Sequence, residues 1–271
     1  MPIQNRLATY FEFDALRTNW RTEILAGCTT FLTMAYIIFV NPAILADAGI
    51  PVGAATASTC IAAAFGSILM GAYARYPIAL APGMGLNAYF AYTVVKGMGI
   101  SWQVALGAVF FSGVAFLLLT LFGVRQLIVT ALPAELYAAV AAGIGLFIAF
   151  IGLKNAGLVV ASPATYVTMG TLTQPGTALA VGGLVLMAAL MARGVRSAIL
   201  IGIAVTTAVA LLSGQTKLSG GMQDFTAISA TLFQLDIAGT AKLGLLEIVF
   251  VFLFVDMFDN LGTLVGVGKK A

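Results

Sequence analysis

The chain is a succession of long apolar runs separated by short polar stretches, a pattern typical of helices that cross a membrane. Most charged residues fall between the runs, where they mark loops. The pattern predicts an all-α polytopic membrane protein, with residues 154–174 and 213–242 as its longer connections. Its eight spanning helices are expected at residues 24–46, 54–74, 76–97, 101–123, 127–153, 178–191, 198–212 and 243–267.

The third run cannot be a regular helix through its middle. Pro82 has no N–H to donate and biases Ala81 away from helical angles, and Gly83 and Gly85 follow it. A broken helix at membrane depth is tolerated where it is buried in protein or lines a cavity, and in transporters such breaks mark binding sites. The pattern therefore predicts a broken third helix beside a binding site. The alternative is a close helix crossing that the glycines permit.

Three side chains beside this break are candidates for contact with a ligand. Asn87 would offer an amide there. Tyr89 and Phe90 are placed to stack on a planar molecule.

The first run carries small and hydroxylated residues in its first half, and we expect Asn41-Pro42 to interrupt its second half. Hydroxyls supply polar contacts between membrane helices, but those of Thr29, Thr30 and Thr33 also commonly bond back to their own helix. That favours a structural role for each one taken singly. Thr30 is kept as a candidate substrate contact.

The last run contains two carboxylates, Asp256 and Asp259, with Asn260 and Thr263 each four residues after one of them. This spacing places all four on one helical face. A charge at membrane depth costs several kcal/mol and usually marks a functional site. Because two such close carboxylates cannot both ionise cheaply, we expect one to hold a proton under some conditions. The alternative is a polar stripe that only seals against another helix.

The composition excludes a water-soluble domain, since 61% of the residues are hydrophobic, 8% are charged and the mean hydropathy is +1.05. The chain has no His, so proton chemistry must fall to carboxylates. Cys28 and Cys60 lie in apolar runs and are expected to pack there. We predict no metal, no cofactor and no enzymatic activity. The net charge of +3 requires no nucleic-acid partner, because membrane orientation accounts for it.

The Lys and Arg positions favour a cytoplasmic N-terminus. With that orientation the inner side holds Arg6, Arg17, Arg21, Arg75, Arg125, Arg193, Arg196, Lys269 and Lys270, against Lys96, Lys154, Lys217 and Lys242 outside. The mixed polar and aromatic N-terminal residues do not form a signal peptide. The first and eighth helices then run in opposite senses, as an inverted repeat of seven helices requires.

Four stretches closely resemble the AzgA-like purine permeases of the xanthine/uracil permease (nucleobase/cation symporter) superfamily. They occur in order along nearly the whole chain. They are residues 27–37 with Asn41-Pro42, residues 81–90, residues 151–157 with 161–164, and residues 254–263.

This resemblance implies a proton symporter for hypoxanthine, guanine or adenine in the cytoplasmic membrane. The implied fold has two inverted seven-helix repeats, a core domain and a gate domain, and a third helix broken by an extended segment. Substrate would lie between the third, eighth and tenth helices. The domain boundaries that follow are 1–21 for a cytoplasmic segment, 22–125 for core helices 1–4, 126–242 for gate helices 5–7, and 243–271 for helix 8.

The resemblance also assigns roles by position. Asn87 would be the polar contact from the third helix, and Asp256 and Asp259 would be the acids that bind purine N–H groups or take the coupling proton. In the wider superfamily the acid of the eighth helix is followed by a variable residue, Ile or Leu, and Gly. Residues 259–262 match that pattern, which assigns the substrate role to Asp259 and leaves Asp256 to tune it.

The family's chains are considerably longer, with six further helices and a second substrate-binding acid in the tenth. We therefore expect this sequence to be a fragment, or half of a functional unit, and to be unable to perform alternating access alone. The preferred purine, the coupling ion and the oligomeric state stay open, with a homodimer among the options.

The sequence leaves three alternatives to a purine symporter. An intramembrane aspartyl protease would need its acids to converge from separate helices, whereas both lie on one here. An anion exchanger or channel of the same architecture would suffer repulsion of its anion by Asp256 and Asp259. An inactive half that pairs with a full-length relative is the third.

Overall fold

The structure is a computed structural model that describes residues 3–124, 127, 133–195, 197–216, 228–242 and 246–268. The helices are α1 (Ile3–Tyr10), α2 (Trp20–Met34), α3 (Ile37–Asp47), α4 (Val52–Leu69), α5 (Met84–Ala88), α6 (Trp102–Leu121), α7 (Ala134–Asn155), α8 (Pro175–Ala192), α9 (Ala198–Leu212), α10 (Ile228–Thr231), α11 (Ile237–Lys242) and α12 (Leu246–Gly268). Wider π-type turns extend α4 over Met70–Ala74 and α5 over Tyr89–Gly97.

The chain divides into two compact units. Unit 1 comprises Met1–Phe39, Cys60–Ala81 and Leu172–Ser219, and unit 2 comprises Val40–Thr59, Pro82–Thr171 and Gly220–Ala271. Among the described residues, four helical stretches are long and apolar enough to cross a membrane: Trp20–Asp47, Val52–Ala74, Trp102–Leu121 and Pro175–Ala192. Gly145–Asn155 and α9 are apolar but shorter.

In unit 1, α8 and α9 form a closely packed pair, and α9 also contacts α2. The pair approaches closely because glycines face side chains of the partner helix: Gly183 faces Thr206, and Gly202 faces Met187. The N-terminal segment is hydrogen-bonded to the end of the second span. The Tyr10 hydroxyl donates to the Ala72 carbonyl at 2.8 Å.

In unit 2, α12 packs on α6, α7 and α5, and α11 packs on α6. The hydrophobic core includes Ile44, Ala55, Phe90, Ala91, Val94, Ala105, Ala108, Ile248 and Phe252. Small residues dominate α6 where it is buried, which lets its neighbours approach. The Thr240 hydroxyl, for example, donates to the Val104 carbonyl at 2.7 Å.

A polar cluster joins three helix ends of unit 2. The Tyr92 hydroxyl donates to Asp47 Oδ2 at 2.7 Å, and the Lys96 ammonium lies 3.2 Å from Asp47 Oδ1. The Asn155 amide donates to the Tyr92 oxygen at 3.3 Å. These contacts connect the ends of α3 and α7 with the π-type continuation of α5.

The break predicted in the third helix is confirmed. Residues 75–83 are not helical, and α5 begins only at Met84, with Gly83 in an extended conformation before it. The Ser67 hydroxyl of unit 1 donates to the Leu80 carbonyl at 3.1 Å and accepts from the Leu80 N–H at 2.9 Å. Asn87 therefore lies inside a helix, one turn beyond the break.

One expectation was wrong in detail. The first span is interrupted at Ala35–Tyr36 rather than at Asn41-Pro42, and Pro42 lies within α3. Pro42 has no N–H to bond to the carbonyl of Ile38, four residues earlier, and the interruption lies further toward the N-terminus. There the Ile38 and Phe39 N–H groups bond only three residues back, to Ala35 and Tyr36 at 3.2 and 3.1 Å.

The longer connections contain short elements that were not predicted. The polar stretch 154–174 contains an antiparallel hairpin, β1 (Val159–Ser162) and β2 (Tyr166–Met169), which pairs Val159 with Met169 and Ser162 with Tyr166. Stretch 213–242 contains the short helices α10 and α11. The fold is otherwise helical, as expected.

Candidate functional site

A cavity of about 520 Å³ lies within unit 2. Its wall includes Gly83, Asn87, Phe90, Phe252 and Asp256. Most of the wall is apolar, with a few polar groups, as is usual for small-molecule sites, which range over about 300–1,000 Å³. The cavity is therefore large enough for a small planar ligand.

The two carboxylates of α12 differ in their surroundings. Asp256 lines the cavity, and the Asn260 amide donates to its Oδ1 at 3.0 Å and to its backbone carbonyl at 2.9 Å. Asp259 is half-buried, and its Oδ2 lies 2.9 Å from the position that a Cβ at Gly83 would take. Among the described residues, Asp259 has no hydrogen-bonding or ionic partner. Asp256 is thus oriented by its own helix, whereas Asp259 keeps its acceptors unused beside the start of α5.

Asn87 is held from behind by the end of the first span. Its Nδ2 donates to Asn41 Oδ1, and Asn41 Nδ2 donates to Thr59 Oγ1 at 2.8 Å. The part of the chain that the structure describes offers no partner for Asn87 Oδ1. One end of the amide is therefore anchored, and the other is available at the cavity.

Of the two aromatic candidates, Phe90 lines the cavity and Tyr89 does not. Phe90 is 3% exposed and lines the cavity. Tyr89 is not part of the cavity wall; its ring stands edge-on to Phe252 with centroids 5.3 Å apart. Phe252 does line the cavity, so Tyr89 supports the wall from behind.

Thr30 belongs to unit 1, and its hydroxyl donates to the Ala26 carbonyl of its own helix at 3.0 Å. Thr29 and Thr33 bond back in the same manner, to Leu25 and Thr30. The contact of Thr30 with substrate stays a prediction. The side chain of Thr263 lies outside the described residues.

Several cavity and supporting residues were not predicted, among them Ser58, Trp102, Ser112, Thr231 and the buried Thr59. Trp102 begins the fourth span, and the hydroxyl residues lie in a largely apolar run or in a connection, so no local pattern distinguishes them as parts of a site. Asn41 was noted only as part of Asn41-Pro42. No group of three His, Cys, Asp or Glu residues in the described ranges is arranged to hold a metal ion.

Comparison with known proteins gives a consistent result. Residues 21–271 match the family model Xan_ur_permease, which is described as a permease family. A protein of Methanocaldococcus jannaschii named a permease is 55% identical over 270 residues, which are 99% of this chain and 62% of that protein. The adenine permease AdeP of Escherichia coli is 44% identical over 268 residues, 99% of this chain and 60% of AdeP.

The guanine/hypoxanthine permease PbuO of Bacillus subtilis is 42% identical over 267 residues, 96% of this chain and 62% of PbuO. The chain therefore spans about three-fifths of the length of these relatives.

Proposed function

Because this chain belongs to the Xan_ur_permease family of permeases, we propose that it carries purine nucleobases, namely hypoxanthine, guanine or adenine, across the cytoplasmic membrane in symport with a proton. Two relatives bear names that state a substrate, an adenine permease and a guanine/hypoxanthine permease. Their names support the purine class without selecting one base for this chain.

One observation supports the proposal: an acid of α12, Asp256, and the amide of the broken helix, Asn87, line one cavity. Asp259 is not part of the cavity wall, but its Oδ2 lies close to Gly83, which is. Ionised carboxylates only accept hydrogen bonds. Such a wall suits a neutral base with several N–H donors and repels an anion, which weighs against an anion exchanger.

The contacts support the following roles. Asp259 would accept from N–H groups of the base, because its oxygens have no partner among the described residues. Asp256, which accepts a hydrogen bond from Asn260, would exchange the coupling proton with Asp259. Asn87 would contact the base directly, and Phe90 and Phe252 would enclose its faces. Tyr89 would act through Phe252.

The chain is a multi-pass membrane protein. We assign its N-terminus to the cytoplasm from the Lys and Arg distribution, and residues 22–125, 126–242 and 243–271 to core helices, gate helices and the start of a second inverted repeat. A homodimer is compatible with this assignment.

Uptake of radiolabelled hypoxanthine tests the proposal in a strain without purine permeases of its own, expressing the complete reading frame to which this sequence belongs. Asp259→Asn replaces an acceptor oxygen with a donor, so uptake is expected to fall about tenfold or more. Dissipating the proton gradient is expected to abolish wild-type uptake.

The matched control is Asp14→Asn, the same exchange at an exposed position in the N-terminal segment, which is expected to retain uptake. Unchanged uptake in Asp259→Asn would remove the role of that acid. Absence of uptake of every purine by the wild type would remove the proposed function itself.

A further inference from the structure

A line of three hydrogen bonds runs through unit 2 from a backbone carbonyl to the cavity. The Thr59 hydroxyl donates to the Ala55 carbonyl at 2.6 Å. Asn41 Nδ2 donates to Thr59 Oγ1 at 2.8 Å, and Asn87 Nδ2 donates to Asn41 Oδ1. Asn41 and Thr59 are 2% and 3% exposed, so water does not compete for the two bonds that Thr59 makes.

The direction of this line is determined at its start. The Ala55 carbonyl can only accept, so the Thr59 hydroxyl gives its single proton there and is left as an acceptor. Asn41 must then turn its NH₂ group toward Thr59 and its oxygen toward Asn87. Asn87 must in turn give its NH₂ group to Asn41, which leaves Asn87 Oδ1 for the cavity.

We propose that Asn41 and Thr59 are positioning residues that hold Asn87 with its acceptor end toward the substrate. A primary amide is otherwise ambivalent, because a half-turn exchanges donor and acceptor with almost no change of shape. With this end fixed, Asn87 presents an acceptor to the cavity, whose wall also includes Asp256. Asn87 then selects ligands that carry an N–H donor on the edge that meets it. The identity of the ligand rests on the proposed function, whereas the orientation of the amide does not.

Thr59→Val tests the start of the line because it keeps the branched shape and removes the hydroxyl. Without that acceptor Asn41 is free to turn, and the Asn87 amide loses its fixed direction. The affinity of the purified protein for hypoxanthine is expected to fall about tenfold, the equivalent of one hydrogen bond. Thr59→Ser, which keeps the hydroxyl, is expected to restore it.

Thr120→Val is the matched control. The Thr120 hydroxyl bonds back to the Phe116 carbonyl at 2.8 Å on an exposed part of α6, so the same chemical change is made away from the cavity. Its hypoxanthine affinity is expected to equal that of the wild type.

A double-mutant cycle with Asn87→Ala separates positioning from general loss of structure. If Thr59 acts through Asn87, Thr59→Val costs nothing further once Asn87 is alanine. If Thr59 only supports packing, the same loss appears in both backgrounds, and the proposal is overturned.

Side-chain amide signals of ¹⁵N-asparagine-labelled protein provide a readout without ligand. The Asn87 signal is identified by its loss in Asn87→Ala. We expect it to shift in Thr59→Val and to stay in place in Thr120→Val; an Asn87 signal unchanged by Thr59→Val would overturn the proposal. If the wild type binds no purine, the proposed function is wrong, and this measurement alone decides the positioning role.

Discussion

At Gly83 the space that a side chain would fill is occupied by a carboxylate oxygen. A Cβ at this position would lie 2.9 Å from Asp259 Oδ2. The backbone φ of −69° is available to any residue, so glycine is required here by close approach and not by its conformational freedom. The position of the Asp259 carboxylate at the proposed site therefore depends on the absence of a side chain at Gly83.

Gly83→Ala is accordingly expected to push the Asp259 carboxylate aside by a few tenths of an ångström. Hypoxanthine affinity should fall about tenfold, because small misplacements of a binding group are costly. Gly152→Ala is the control, since a Cβ there meets nothing within 4 Å. Equal affinities of the two variants would show that the contact between α5 and α12 does not position Asp259.

The site residues differ in how far they could be predicted. Pro82 and the paired acids are conspicuous in the sequence, because a helix breaker and charges are rare in apolar runs. The line from Thr59 through Asn41 to Asn87 joins residues 18 and 46 positions apart. Such pairings arise from tertiary packing, and no local pattern carries them.

At the scale of elements, the α8–α9 pair shows how two apolar helices specify their contact. Gly183 faces the Thr206 side chain, whereas the adjacent Gly182 meets nothing within 4 Å. Two neighbouring glycines on one helix therefore provide an internal comparison of a packed and an open position.

Gly183→Ala is expected to lower the melting temperature in detergent, corresponding to about 1–3 kcal/mol of overpacking. Gly182→Ala should be neutral or slightly stabilising, since alanine favours the helix more than glycine does. The same melting temperature for both variants would contradict the packing seen between α8 and α9.

The predicted boundaries of an element agree with the observed ones where polar residues flank an apolar run on both sides. The bounds predicted for the seventh span, Ala198 and Leu212, are those of α9. The break in the first span was misplaced: it lies at Ala35–Tyr36, before the helix Ile37–Asp47 that contains Pro42. The hairpin β1–β2 was missed because its strands are four residues each and mostly exposed, so they show no alternation of buried and exposed positions.

At the scale of the whole molecule, the orientation in the membrane rests on the Lys and Arg distribution. The hairpin would then lie outside the cell and the turn between α8 and α9 inside. Ala164 and Arg193 are exposed positions in these two connections.

Single cysteines test this assignment in a background without Cys28 and Cys60. A membrane-impermeant maleimide is expected to label Ala164→Cys in intact cells and Arg193→Cys only after permeabilisation. The reverse pattern would invert the topology, and labelling of both in intact cells would contradict the assignment of these connections to opposite sides.

The extended segment that precedes α5 shows what a broken helix needs in order to exist in hydrocarbon. One hydroxyl, that of Ser67, both donates to and accepts from the backbone of Leu80, as a neighbouring β-strand would. The Ser67 side chain thus supplies the pair of hydrogen bonds that a second strand would supply to Leu80. A bilayer has no water to replace these bonds. Replacing Ser67 with alanine would remove the partner of both the N–H and the carbonyl of Leu80, and lipid offers no hydrogen bond in its place.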